Sequence, residues 1–175
     1  MIRRTVLTAV GEDRPGLVEE VSEFLFERGC SIEDSRMANL QGQFAMAMLV
    51  AGPEEAIERM EAEVDALAAG AGIHARLTAV TAGAEPPTPG SPCRFTGRGL
   101  DQPGLVHRVA EVFRGFDANI ETMETTLEPA PITGAPLFEM SAVVAIPASV
   151  SMEALREELG RVCDSINVDW ELTPL

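Results

Sequence analysis

The sequence predicts an α+β fold in which one βαββαβ unit occurs twice in tandem. The first observation is a repeat: residues 11–18 read Gly-Glu-Asp-Arg-Pro-Gly-Leu-Val, and residues 99–106 read Gly-Leu-Asp-Gln-Pro-Gly-Leu-Val, 88 positions later. The second is that strand-like and helical hydrophobic spacings follow each copy in the same order. The third is a stretch rich in Pro and Gly between the copies. We therefore predict a domain over residues 1–80, a linker over 81–91 and a second domain over 92–175.

In the first copy, the spacing of apolar residues predicts each element in turn. A run rich in Thr and Val predicts the first strand, and after the turn apolar residues recur at helical spacing up to Arg28. Gly29 follows as expected at a helix end, and Gln41-Gly42 predicts a tight hairpin turn between two further strands. Pro53 begins a second helix, after which apolar residues alternate in a last strand. The predicted strands are 3–10, 32–40, 44–51 and 73–79, with helices over 17–28 and from 53 to about 70.

The second copy repeats this plan, with a longer Pro-rich loop around residues 128–136 inside its hairpin. Its predicted strands are 93–99, 120–127, 137–146 and 168–172, and its helices lie around 105–116 and 155–162. The order βαββαβ, found twice, is that of ferredoxin-like domains, with an antiparallel sheet and two helices on one face. A domain of about 80 residues buries only about 60–65% of the surface that its unfolded chain exposes and is marginal alone, so we expect the halves to pack on each other or on a second chain.

Composition excludes several classes of function. The net charge is −15, with 28 acidic and 13 basic residues, and no basic cluster beyond Arg3-Arg4, which argues against direct binding to nucleic acid or to an anionic membrane. No stretch approaches the roughly 20 apolar residues of a membrane span, and the early apolar run is too short for a signal peptide. Three scattered cysteines form no CxxC pair, which favours a reducing cytoplasm.

The repeated Asp-x-Pro-Gly-Leu-Val motif is the candidate site. It joins a strand to a helix, where Asp could cap free amides and Pro could preset the first turn of the helix. Gly lets another group approach the backbone, so the motif is a candidate receptor for the carboxylate of a free amino acid. Asp13 or Asp101 could then pair with the ammonium group of that amino acid. The alternative reading is that the motif is no more than a well-capped helix start.

Other polar residues carry weaker signals. Cys30-Ser31 and Asn119 begin the strand after the first helix of each copy, and we expect them close to the turn. His107 lies in the first turn of its helix beside the motif, whereas His74 falls on the polar phase of a strand. Two isolated histidines do not make a metal site, and the sequence has no nucleophile–base signature, P-loop or GxGxxG motif. We therefore predict no catalytic residue, no metal and no cofactor.

With its Asp-Arg-Pro-Gly-Leu-Val turn and Cys-Ser-Ile-Glu after the helix, the first copy resembles an ACT domain. The second copy, with Ala-Asn-Ile-Glu at that place, is more similar still to the usual pattern. Two such domains with little else resemble the glycine cleavage system transcriptional repressor family. The resemblance implies that a small amino acid binds where the turn of one ACT domain meets the start of the second strand of a neighbour. It carries over to these residues: Asp13, Pro15, Gly16, Leu17, Cys30, Ser31, Ile32, Asp101, Pro103, Gly104, Leu105, Asn119 and Ile120.

The resemblance and the charge together predict a regulatory function. We expect a cytoplasmic homodimer that senses a small amino acid, with glycine suggested by the family alone, and controls transcription through a protein partner. Family members act through a DNA-binding partner, and a net charge of −15 agrees with that. The alternatives are a regulatory subunit of an amino-acid metabolic enzyme and a structural dimerisation module without ligand. Cys30-Ser31 departs from the usual Ala-Asn, which puts the site of the first copy in doubt.

Overall fold

The computed structural model describes residues 1–81, 90–131 and 134–175. The chain divides into two compact units, Met1–Ala84 and Glu85–Leu175. Most of the predicted linker, residues 82–89, lies outside the described residues, and its last two residues belong to a strand. Within the described part of the chain, no helix is both long and apolar enough to cross a membrane.

The first unit contains four strands and two helices in the predicted order. They are β1 (Ile2–Glu12), α1 (Leu17–Glu27), β2 (Ser31–Leu40), β3 (Gln43–Pro53), α2 (Glu54–Ala71) and β4 (Ile73–Ala79). The sheet order is β2-β3-β1-β4, and each neighbouring pair is antiparallel. Consequently β1 and β2 are parallel, and α1 carries the chain back between them.

The second unit repeats the arrangement. Its elements are β5 (Gly90–Leu100), α3 (Leu105–Gly115), β6 (Asn119–Pro129), β7 (Pro136–Pro147), α4 (Met152–Ser165) and β8 (Val168–Pro174). The sheet order β6-β7-β5-β8 is that of the first unit, and both sheets have a register shift near the start of their edge strand, β2 or β6. The ferredoxin-like α+β prediction is therefore confirmed. The strands β6 and β7 run further into the Pro-rich loop than predicted, to Pro129 and from Pro136.

Each unit has its own hydrophobic core between the sheet and its two helices. In the first unit, Leu7 of β1 and Ile57 of α2 are fully buried, and in the second Phe95 of β5 and Leu155 of α4 are. Phe95 packs edge-on against Phe113 and face to face with Trp170, the one tryptophan of the chain. Because the helices cover one face of each sheet, the side chains of the other face remain at the surface.

Candidate ligand-binding turns

The Asp-x-Pro-Gly motif forms a type II β-turn rather than the first turn of a helix. Gly16 has φ 92° and ψ −12°, Gly104 has φ 96° and ψ 3°, and the amide N–H of Leu17 donates to the carbonyl of Arg14 at 3.4 Å. These are the angles of position i+2 in a type II turn, which requires glycine, with proline at i+1. The expectation that Pro15 and Pro103 preset the first helical turn is therefore wrong. Gly16 and Gly104 are the N-cap residues of the two helices, and each proline precedes its glycine and lies outside the helix.

The helix after each turn begins with amides that have no acceptor. The first helical bonds run from Glu20 N–H to Gly16 O and from Arg108 N–H to Gly104 O, both at 2.9 Å. Neither helix has a side-chain cap, so the expectation that the aspartates cap these amides is also wrong. Among the described residues, the N–H groups of Val18, Glu19, Val106 and His107 have no acceptor. Free amides and the positive helix end make each turn suited to a carboxylate.

Buried leucines hold the turns in place. Leu17 is 2% exposed and Leu105 is 3% exposed, and both belong to the core of their unit. The glycines before them face open space. A Cβ on Gly104 would meet nothing within 4 Å, and one on Gly16 would meet just the Glu20 carboxylate, at 3.9 Å. Positive φ, not close packing within the chain, is therefore what requires glycine here.

The two aspartates have different surroundings. The Asp13 carboxylate accepts a hydrogen bond from the Asn39 side-chain amide, whose oxygen accepts from the Gly42 N–H at 3.1 Å. The Asp13 N–H also donates to Gly42 O at 2.8 Å, as the Asp101 N–H does to Pro136 O at 3.1 Å, so the side-chain bond is what ties Asp13 more firmly to the β2–β3 hairpin. In the second unit Leu127 stands at the position of Asn39. Within the described part of the chain, the Asp101 carboxylate has no hydrogen-bond partner.

The residue after each aspartate connects the turn to the end of the second helix. Arg14 donates to the carbonyl of Ala71 at 3.1 Å, and Gln102 donates to the carbonyl of Ile166 at 2.7 Å. Ala71 and Ile166 lie at the C-terminal ends of α2 and α4. The variable position of the motif therefore has the same structural role in both copies, although its charge differs.

The charge beside the turn also differs between the copies. Arg14 makes two hydrogen bonds to the Glu20 carboxylate, at 2.6 and 2.7 Å, and this contact lowers the pKa of Glu20 and raises that of Arg14. The equivalent of Glu20 in the second unit is Arg108, which is exposed and has no ion-pair partner among the described residues. Its side chain lines the groove between α3 and α4. A ligand carboxylate at Gly16 would approach Glu20, whereas no carboxylate lies within 4 Å of the position of a Cβ on Gly104.

A shallow depression lies over the first turn. It has a volume of about 480 Å³ and is lined by Gly16, Leu17, Val18 and Ser22 together with Asp13, Arg14, Glu19 and Phe44. This volume is within the range of small-molecule sites, but the depression is open to solvent. One wall is therefore still required to enclose a ligand.

The start of the second strand lies far from the turn of its own unit. Ser31 pairs with Ala51, which pairs with Arg4 near the beginning of β1, whereas the turn follows the end of β1. The expectation that Cys30-Ser31 and Asn119 lie close to the turn is therefore wrong within a unit. The reason is topological: because β1 and β2 are parallel, α1 returns the chain to the end of the sheet where β1 began.

The residues at this far end differ in exposure. Cys30 is half-buried with its Sγ 3.3 Å from the Met60 Sδ, and burial raises the pKa of its thiol. Ser31 is exposed, and Ile32 is 41% exposed at the sheet edge. In the second unit, Asn119 and Ile120 are both half-buried, and Ile120 packs against the core.

His107 is exposed at the second turn, beside Gly104. The residues that distinguish the two turns, namely Asn39, Glu20 and Arg108, were missed by sequence reasoning. Aligning the copies position by position at the 88-residue offset would have revealed all three, because each has a different partner in the other copy.

A sequence model of the ACT domain matches residues 3–78, from the first strand to the last strand of the first unit. The second unit repeats its sheet order and its turn motif. The first unit of this chain is an ACT domain, and the second unit has the same fold. The predicted ACT resemblance is confirmed, and each turn joins the first strand of its unit to the first helix.

Similarity to individual proteins extends over both units. The chain is 29% identical over 167 residues to the glycine cleavage system transcriptional repressor of Escherichia coli K12, which covers 95% of this chain and 87% of that protein. The crystal structure of an unknown protein from Galdieria sulphuraria is 30% identical with a TM-score of 0.81, and covers 100% of this chain and 99% of that chain. A structure of a candidate glycine cleavage system transcriptional repressor, 22% identical with a TM-score of 0.73 over 100% and 98% of the two chains, shares the fold.

Proposed function

We propose that this protein is an amino-acid-binding regulator whose principal ligand site is the turn of the second ACT domain. The observation that carries the proposal is the pairing of an open Gly104 with the free amides of Val106 and His107. These amides would receive the ligand carboxylate, and the unpartnered Asp101 carboxylate would receive its ammonium group. An amino-acid zwitterion with a small side chain would bind the free amides through its carboxylate and Asp101 through its ammonium group at the same time.

The first turn is less suited to the same ligand. Its aspartate already accepts from Asn39, and Glu20 carries a negative charge beside Gly16. Although Arg14 neutralises much of that charge, a ligand carboxylate would compete with Glu20 for it. We infer that the second domain binds the amino acid more tightly.

A neighbouring ACT domain from a second copy would supply the missing wall. The edge strand β6 is exposed along most of its length, and its backbone groups are open to pairing. If two copies paired antiparallel along β6, the first residues of that strand, Asn119 and Ile120, would lie beside the partner turn, because the strand ends next to its own turn. This arrangement would bring the turn of one copy next to the start of the second strand of the other copy, two segments that lie apart within one domain.

The regulatory output is proposed to pass through a protein partner. The net charge of −15 opposes a DNA backbone, and all 13 basic residues are arginines distributed over both domains. Similarity to a transcriptional repressor over 95% of the chain supports transcription as the process controlled. A coupling of about 1–3 kcal/mol between ligand and partner sites would give a 5- to 150-fold response.

The test is thermal unfolding with each free amino acid, glycine and serine included, on the wild type and on two matched variants. A ligand at 100 times its dissociation constant stabilises the folded state by about 2.7 kcal/mol. Gly16→Ala and Gly104→Ala place alanine at nearly the same positive φ and should lose a similar stability, about 1–2 kcal/mol. We expect Gly16→Ala to keep the ligand-induced shift and Gly104→Ala to lose it.

Two results would contradict the proposal. The first is that no amino acid shifts the unfolding temperature of the wild type. The second is that Gly104→Ala responds to the ligand as strongly as the wild type does. Anisotropy measurements with labelled duplex DNA test the output separately. Tight, salt-dependent binding by the protein alone would exclude action through a partner.

A further inference from the structure

Each sheet has an outer face, defined here as the face that the helices of its unit do not cover. On this face, three cross-strand rows of four residues can be read from the pairing register. In the first unit the rows are Asp34-Leu49-Val6-Thr78, Arg36-Ala47-Thr8-Arg76 and Ala38-Ala45-Val10-His74. In the second unit they are Thr122-Val143-Arg94-Thr173, Glu124-Ser141-Thr96-Glu171 and Thr126-Glu139-Arg98-Asp169.

The middle rows have opposite charges at equivalent positions. The first unit has Arg36 at one edge of the sheet and Arg76 at the other, and the second unit has Glu124 and Glu171 in the same two places. All four side chains are exposed. Small residues lie between them: Ala47 and Thr8 in the first unit, Ser141 and Thr96 in the second. The third rows continue the reversal, with His74 where the other unit has Asp169.

Counted over their three rows, the two faces differ in the same direction. The rows of the first unit carry two arginines and one aspartate, and Arg36 forms an ion pair with Asp34. Arg4 lies on the same face beyond these rows and is paired with Glu33. The second carries four carboxylates and two arginines, of which Arg98 pairs with Glu139 at 2.9 Å. The side chain of Arg76 has no ion-pair partner in the described part of the chain. The three rows of the first unit therefore carry a net charge of +1 and those of the second a net charge of −2, in a chain whose net charge is −15.

We propose that the outer face of the first sheet in one copy of the chain binds the outer face of the second sheet in another copy. The complementarity is of charge, and it holds across the row because both sheets have the same strand order and equivalent pairing registers. Facing sheets pack about 10 Å apart, and the small central residues let the backbones reach that distance. The proposal concerns a surface separate from the ligand-binding turns and stands whether or not they bind an amino acid.

The row geometry makes the contact specific. Arg36 and Arg76 are three strands apart, about 14 Å, and so are Glu124 and Glu171. If one row lies over the other in either direction, both arginines meet a glutamate. Two outer faces of the first unit would instead bring arginine to arginine, and two of the second would bring glutamate to glutamate. The contact is therefore heterologous, and each copy offers both halves of it.

The area sets the expected strength. Four strands and three rows give a face of about 400 Å², so that one contact buries about 800 Å² in total, less than a standard interface. Association should therefore depend on protein concentration and weaken with salt, because its ion pairs are exposed. Sedimentation velocity over a range of concentration and ionic strength measures both dependences.

Charge reversal in two variants tests the pairing directly. Arg36→Glu with Arg76→Glu makes both outer faces acidic, and Glu124→Arg with Glu171→Arg makes both basic. We expect each variant alone to associate at least about 10-fold more weakly than the wild type, because like charges then face each other. A one-to-one mixture of the two variants should recover the association, because each now offers the face that the other lacks. The control is Arg59→Glu with Arg114→Glu, two exposed helical positions, which changes the net charge as much as the first variant does and should leave association unchanged.

Three results would overturn the proposal. The first is that the wild type sediments as one species at every protein concentration and ionic strength. The second is that the charge-reversed variants associate as strongly as the wild type does. The third is that the one-to-one mixture of the variants does not recover the association. Circular dichroism of each variant verifies that loss of association is not loss of fold.

Discussion

The aspartate of each turn provides a test in which one domain serves as the control for the other. Both Asp13→Ala and Asp101→Ala remove a negative charge near a helix N-terminus, a loss of about 0.3–1 kcal/mol that is common to the two. Asp13→Ala also removes the hydrogen bond from Asn39 that holds the hairpin. A hydrogen bond to a charged group contributes about 1.5–3 kcal/mol, and exposure reduces this to about 1 kcal/mol. We therefore expect Asp13→Ala to be about 1 kcal/mol more destabilising than Asp101→Ala.

The single tryptophan allows the two domains to be followed separately. Trp170 lies in the second unit and stacks on Phe95, so its fluorescence reports unfolding of that unit, whereas far-UV circular dichroism reports both. Asp13→Ala should lower the unfolding temperature of its own unit by roughly 4–8 °C more than Asp101→Ala lowers that of the second unit, and it should leave the fluorescence transition in place. In an Asn39→Leu background, Asp13→Ala should cost no more than Asp101→Ala does. Equal losses in the two domains of the wild type would refute the assignment of Asp13 to the hairpin.

Three further predictions concern stability and reactivity. Arginines lower the pKa of several carboxylates below the ordinary values of 4.5 for Glu and 3.8 for Asp. The stabilisation of the folded state by these ion pairs is therefore complete above the ordinary values, and it is lost as the pH falls through the lowered pKa. These are Glu20, Glu33 and Asp34 in the first unit and Glu158 in the second. Acid titration should therefore unfold the first unit before the fluorescence of the second changes. Burial raises the pKa of Cys163 to about 11, so a thiol reagent at pH 8 should modify half-buried Cys30 first and Cys163 after unfolding, as mass spectrometry of the native protein would verify. Arg28 stacks on the Phe24 ring at 3.7 Å and pairs with Glu63, so Arg28→Ala should destabilise the first unit by about 1–2 kcal/mol in urea titrations followed by circular dichroism.

The sequence was sufficient for the fold because hydrophobic periodicity and a duplicated motif act together. Apolar residues at helical spacing, such as Val21 and Leu25, are buried where predicted, and alternation in β4 and β8 gives half-buried strands. Strand ends were less predictable. Gly90 already pairs with Pro147 although it belongs to a stretch whose composition is typical of a linker, because pairing with a long neighbour extends a strand beyond its local preference.

The candidate site was predicted in part. Asp, Pro and Gly favour both helix caps and type II turns, and sequence alone cannot separate the two, because the difference lies in the φ of Gly16 and Gly104. The misplacement of Ser31 has another cause. Closeness to the end of a helix in sequence does not say which end of the sheet a residue occupies, but an 11-residue helix spans about 16 Å and returns the chain to the start of β1.

The divergence of the two turns leads to a last prediction, in which the first turn is converted into the second. Arg14→Gln with Glu20→Arg would remove the carboxylate beside Gly16 and replace it by a cation, while Gln could still reach the end of α2 as Gln102 reaches that of α4. Adding Asn39→Leu would remove the hydrogen bond from Asn39 to the Asp13 carboxylate, so that this carboxylate would be as available to a ligand as that of Asp101. If the proposed preference rests on these three positions, calorimetric titration of the triple variant should give one more amino acid bound per chain than the wild type, and Gly16→Ala should remove it. An unchanged stoichiometry, in a triple variant that folds, would mean that the preference lies elsewhere. The next positions to exchange are then the start of the second strand, where Cys30-Ser31 replaces Ala118-Asn119, and Glu19, which replaces His107.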